Sequence, residues 1–161
     1  MDKLIDLITG REIVWSEEEP ARQEVERLLL KLGYRPEQVK VGLEKELEVE
    51  GQRLVVCADL WVDPGMVIRC APGSVTTRRN EVLAAARLLG AGLAMASNGS
   101  EHELIAAHSG KLIAAGPNAL PDPQKLLELL RENPPARLSP SQALKAARIY
   151  LAMRSIRCEL S

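Results

Sequence analysis

Two residues in the stretch 54–72 could do chemistry, and both sit where an inert core would not put them. Leu54 to Val62 and Met66 to Cys70 read as apolar strands joined by a turn at Asp63-Pro64-Gly65. Both runs are nearly continuously apolar, the pattern of strands covered on two faces. A carboxylate or a guanidinium there is costly unless it is paired or bound to a metal. Asp59 and Arg69 therefore either offset one another or are the remains of a catalytic centre.

Several elements must position that pair. The first strong helix is expected from about Glu17 to Leu32, stopped by Gly33, with Ala21, Val25, Leu28, Leu29 and Leu32 on one stripe. Glu19, Arg22 and Glu26 line one flank of that stripe. Val39 to Glu50 alternates: Val41, Leu43, Leu47 and Val49 on one side, Lys40, Glu44, Glu46 and Glu48 on the other. That is a half-exposed strand, turned by Glu50-Gly51 into the strand of Asp59. After Pro72-Gly73, the polar Ser74 to Thr77 leads into a second helix ending near Leu89, closed by Gly90. Leu93-Ala94-Met95-Ala96 reads as a buried strand, and the crossover helix lets it lie parallel to a member of the meander. Helix, three-strand meander, helix, strand predicts an α/β (α+β) fold with a mixed central sheet flanked by helices.

The ends are simpler. Residues 1–15 form an N-terminal arm. Asp122 to Arg131 is a short amphipathic helix, Asn133-Pro134-Pro135 breaks it, and residues 139–159 form a terminal helix. Ser139 caps that helix with Pro140 at its first position, and Ile149, Met153, Ile156 and Leu160 fall on one stripe. Its basic residues Lys145, Arg148, Arg154 and Arg157 divide into two groups, the pattern of solvated faces. The expected division is residues 1–123 as the domain and 124–161 as a helical extension packed on it.

Composition narrows the partners. A chain of 161 residues is one domain with room for a proper core. Phe is absent and aromatics make up 2% of the chain, so Leu, Val, Ile and Ala must fill that core. A net charge of −1 gives no global attraction to nucleic acid; binding there needs a local patch. No apolar run is long enough to span a membrane, and the start lacks a signal-peptide pattern, so a soluble cytoplasmic protein is expected. Cys57, Cys70 and Cys158 have no zinc spacing, and Cys57 and Cys70 read as buried thiols on adjacent strands.

The layout resembles the nuclease module at the N-terminus of type I restriction enzyme R subunits, in the PD-(D/E)XK superfamily. Asp59 matches the family's strand Asp, and Val67-Ile68-Arg69-Cys70-Ala71-Pro72 matches its second strand. There the family's Glu is replaced by Arg69 and its Lys by Ala71. Glu19, Arg22 and Gln23 match a helix Glu and Arg-Gln pair that face the family's cleft. Thr9-Gly10 resembles the lead-in, with Arg11 where the family has Glu. Ser97-Asn98-Gly99 resembles its Thr-Asn-Gly, and Glu103 to Ala107 with Lys111 to Ile113 its closing hairpin. Leu120-Pro121 resembles the Ile-Pro that follows, so the likeness runs over residues 4–123 and implies a restriction-endonuclease-like αβββαβ core.

The resemblance implies an Mg²⁺ site built on the strand Asp and Glu, helped by the helix Glu. Here Asp59 and Glu19 are the remnant carboxylates, and Arg69 sets a permanent positive charge where the metal should sit. No cofactor is therefore expected. The implied function is an inactive binding module for DNA or for another protein. The alternative is an active Mg²⁺-dependent endonuclease whose missing groups have moved to Lys40, Glu48, Glu81 or Lys111.

Arg22, Gln23, Arg78 and Arg79 are the candidate nucleic-acid contacts. The competing reading of Arg78, Arg79 and Arg87 is that they neutralise the acidic first helix, and that of Glu19 is a capping box with Ser16. His102 and His108 lack a third metal ligand. Arg69 is expected to pair with Asp59, with Glu19, or with both.

Overall fold

The computed structural model describes residues 2–160, with side chains as far as residue 154. Ile156, Arg157, Cys158 and Leu160 of the expected terminal helix have side chains outside that range. At the N-terminus β1 (Lys3–Ile5) and β2 (Glu12–Val14) pair as a separate antiparallel hairpin. The chain then enters α1 (Glu19–Lys31), which starts later than the expected Glu17. The long apolar stretches build a six-stranded sheet. β3 (Val39–Val49), β4 (Gln52–Val62) and β5 (Met66–Cys70) form an antiparallel meander. The helix α2 (Arg79–Leu89) crosses over to β6 (Leu93–Ser97), which lies parallel to β5. β7 (His102–Ala106) and β8 (Leu112–Gly116) complete the sheet antiparallel, in spatial order β3-β4-β5-β6-β7-β8. α3 (Pro123–Glu132) and α4 (Pro140–Leu160) end the chain. The mixed sheet and the helix–meander–helix–strand order are those expected.

Helices cover both faces of the sheet. On one side Val25 and Leu29 of α1 and Leu126 and Leu129 of α3 pack on Leu60, Ile68, Met95 and Leu104. On the other, Val82 and Ala85 of α2 meet Val67 and Ala94, and α4 packs on α2 through Ala146, Ala147 and Tyr150. The buried face of α4 is therefore one notch from the expected stripe, and Ile149 and Met153 are only half-buried. Alanines on both helices supply the closeness that larger side chains would prevent. No helix among the described residues is long and apolar enough to cross a membrane.

The long hairpin departs from the one-faced strand that its alternation suggests. Val39 and Val41 pack with the α1 side, whereas Leu43, Leu47 and Val49 pack with the α2 side. In β4, Leu60 and Val62 join the first core and Leu54, Val56 and Ala58 the second. Residues of one parity should share a face, so both strands turn over at one place. That place is Gly42 opposite Asp59, where the ladder has no pair and Gly42 has φ +68°. Only glycine adopts that backbone without strain. The expectation that both apolar strands are covered on two faces holds for β5, which is buried throughout. It fails for β4, where Val55 is exposed because β5 pairs only with its last three residues.

Gly92 makes the closest backbone approach. A Cβ there would lie 2.4 Å from the Asn133 carbonyl oxygen at the end of α3 and 2.8 Å from a Leu130 methyl. Gly92→Ala should therefore lower unfolding free energy by about 1–3 kcal/mol, the usual cost of forcing atoms into a filled site. Chemical denaturation measures it, and a neutral result would mean that α3 shifts freely.

Candidate functional site

Asp59 and Arg69 meet where β4 and β5 part. The ladder's last pair is Leu60 with Ile68, and beyond it the Asp59 side chain takes over. Its Oδ2 accepts the Cys70 N–H at 2.7 Å and the Arg69 Nη1–H at 2.6 Å. The guanidinium also donates to both oxygens of Glu18, at 3.0 and 3.2 Å, and to the Cys70 carbonyl. Glu81, in the first turn of α2, brings Oε1 to 3.6 Å from Arg69 Nε. One buried cation thus joins three carboxylates from β4, the entry to α1, and α2. Burial pulls the Arg69 pKa down, but Asp59, Glu18 and Glu81 outweigh it and hold it above its ordinary value. Burial and the neighbouring Asp59 push the Cys70 thiol well up, so it stays protonated.

The helix acid on Arg69 is Glu18, not the expected Glu19. The chain carries Glu17-Glu18-Glu19 ahead of Pro20, and a run of three acids does not reveal which one the helix entry turns inward. Of the four relocated-group candidates, Glu81 reaches the centre, while Lys40, Glu48 and Lys111 are exposed. Ala71 is buried and donates its N–H to the Ser97 carbonyl at 3.0 Å, offering no charge to a phosphate.

The far wall of the centre comes from α4, which the sequence does not associate with it. Tyr150 Oη accepts the Cys57 N–H at 2.9 Å, a ladder group left over because β5 is short. Arg154 donates to the same oxygen at 2.7 Å and to Cys57 Sγ at 3.0 Å. The space enclosed by Cys57, Asp59, Arg69, Glu81 and Tyr150 is about 10 Å³. That is at most the room of one water. A hydrated Mg²⁺ does not fit: a permanent cation stands among these carboxylates, and the cavity is too small for the ion's waters. Among the described residues no group of three or more His, Cys, Asp or Glu is placed to hold a metal ion.

The expected cleft residues of α1 form a second cluster, which ties the N-terminal arm down. Glu19 pairs with Arg22 at 2.8 Å, and Gln23 donates to Asp6 Oδ1 at 2.9 Å and accepts the Leu7 N–H at 3.0 Å. Fully buried Glu26 accepts the Ile8 N–H at 3.2 Å beside Asp6. Burial and the adjacent Asp6 carboxylate push Glu26 up to about 8. Burial also pushes Asp6 up, but bonds from Gln23, Thr9 and Glu26 hold it below the ordinary range. The Ser16–Glu19 capping box does not form, since no side chain caps α1.

The remaining expected contacts are also engaged. Arg79 pairs with Glu103 of β7 at 2.6 Å, not with the acidic first helix, and Arg87 donates to the Ala107 carbonyl at 2.7 Å. Arg78 is the exception, its Nε buried with no hydrogen-bond partner among the described residues. His102 Nδ1 lies 2.7 Å from Ser97 Oγ, which accepts the Gly99 N–H. Both residues are buried, and the pair pins the β6–β7 turn. Asn98 does likewise, bonding Gly73 and the backbone of Ser100 and Glu101. Comparisons with protein-family models, with curated proteins and with solved structures found no match for this chain.

Two outcomes follow. Arg69→Ala should cost about 1–3 kcal/mol, because it removes a buried cation bonded to the part-exposed Asp59 and Glu18 and set beside buried Glu81; about half a kcal/mol would mean that water replaces it. For Glu26, a folded pKa of about 8 against an ordinary 4.5 means that the folded state holds an extra proton between those values. Stability from this group is therefore complete at low pH and falls as pH rises toward 8. Glu26→Gln keeps a donor beside Asp6 and should flatten melting temperature between pH 5 and pH 8; an unchanged slope would exclude Glu26 as the source.

Proposed function

We propose that this chain is a restriction-endonuclease-like binding module that does not hydrolyse nucleic acid. The observation that carries the reading is the Arg69 guanidinium, a fixed cation bonded to Asp59 and Glu18 and beside Glu81. A fixed cation there repels Mg²⁺ at every working pH, because arginine does not deprotonate. Tyr150 and α4 close the same space to a phosphodiester.

A protein partner is favoured over DNA. Arg22, Gln23 and Arg79, which could have met phosphates, are bonded to acids of the domain itself. The exposed large apolar side chains include Ile5, Leu7, Val14 and Trp15, all on or beside the N-terminal hairpin. Apolar surface gathered on one element favours a protein contact. A cytoplasmic setting accords with the free thiols Cys57 and Cys70.

One observation supports a second reading, an Mg²⁺-dependent endonuclease: Glu18, Asp59 and Glu81 do converge, so displacement of Arg69 would leave three carboxylates together. The two readings differ in calorimetry and cleavage. The unmodified chain should bind neither Mg²⁺ nor Mn²⁺ and cleave no DNA. In Arg69→Gln the fixed cation is gone; a melting temperature that Mg²⁺ or Mn²⁺ raises in this variant and not in the unmodified chain would identify Arg69 as what excludes the ion. Metal-dependent cleavage by the unmodified chain, abolished by Asp59→Ala, would overturn the inactive reading.

A further inference from the structure

A groove of about 550 Å³ lies between α2, α4 and the segment joining α3 to α4, away from the Asp59–Arg69 centre. That volume is in the range of small-molecule sites. Its floor is apolar, made by Leu83 and Ala84 of α2 and Ala146 and Ile149 of α4. Its walls carry Arg87, Arg137 and Lys145, with His108 at the edge, and no Asp or Glu lines it. None of the three cations has an ion pair among the described residues. Arg22, Arg69 and Arg79 each meet acids of the domain, whereas these three cations stand together on one groove with no acid in its lining. Arg87 is also held in place: its Nε donates to the Ala107 carbonyl at 2.7 Å, leaving the outer nitrogens for another acceptor.

We propose that this groove binds a small organic anion, a phosphate or carboxylate head on an apolar body. The head would lie among Arg87, Arg137 and Lys145, where charge-assisted bonds are strong. The body would cover the Leu83–Ile149 floor, gaining by removal of apolar surface from water. The floor has no aromatic side chain on which a nucleobase could stack, which favours a compact ligand over single-stranded nucleic acid. This site does not depend on whether the Asp59–Arg69 centre is inert.

The test is calorimetry of the full chain with 1-naphthyl phosphate, inorganic phosphate and a short DNA oligonucleotide. Naphthyl phosphate should bind saturably at one site, at least about tenfold tighter than inorganic phosphate, since the phosphate alone leaves the floor wet. The double change Arg137→Glu with Lys145→Glu alters two exposed residues, so the fold and melting temperature should persist. Affinity should fall by about tenfold or more in that variant. Undiminished binding in the folded variant would overturn the proposal, as would no saturation at millimolar naphthyl phosphate. Tighter binding of the oligonucleotide, lost in the same variant, would overturn it in favour of nucleic acid.

Discussion

The bond between Arg69 and Asp59 is the constraint on which the middle of this molecule depends. Asp59 ends a ladder by accepting a backbone N–H with its side chain, and Arg69 neutralises the charge that this leaves in the core. A part-buried carboxylate gains from a cation held beside it, and a buried guanidinium without acids cannot shed its proton at all. The guanidinium therefore requires the acid, and together they fix where β4 leaves β5. Glu18 and Glu81 extend the same requirement to α1 and α2, so one cation registers both helix layers against the sheet.

Two further consequences come from the short β5. It leaves the outer edge of β4 unpaired before Leu60, and the hairpin turns its other face to the core at Gly42 and Asp59. Backbone donors on that edge need partners. Tyr150 answers at Cys57, which brings α4 down on α2 and closes the space beside Arg69. A centre that could have been a cleft is instead a sealed joint. The N-terminal arm is secured by a separate device, the Asp6, Gln23 and Glu26 cluster, whose proton sits on a fully buried acid.

Much of the fold was legible because its signals are local. The apolar runs of Met66–Cys70 and Leu93–Ser97 mark buried strands, Gly90 ends α2 in a left-handed cap, and Asp122 caps α3. Half of the candidate site was legible for the same reason: Asp59 and Arg69 are anomalies in apolar runs, and such anomalies demand partners. The rest was not. Glu18 and Glu19 differ by one residue, yet a helix turns about 100° between them. That sends one acid to Arg69 and the other to Arg22.

The sequence by itself determined the order and type of the elements from α1 to β6, the apolar character of β4 and β5 and the presence of an acid–base pair between them, but not the β1–β2 hairpin. Periodicity, turn residues and the cost of buried charge act over a few residues and can be read along the chain. Only the tertiary structure decided which acids share Arg69, that Arg22 and Gln23 serve the arm, and that Tyr150 seals the centre. Tyr150 lies 93 residues from the Cys57 amide that it satisfies. Contacts at that separation depend on where whole layers dock, which is set by the summed burial of both cores and by no local pattern.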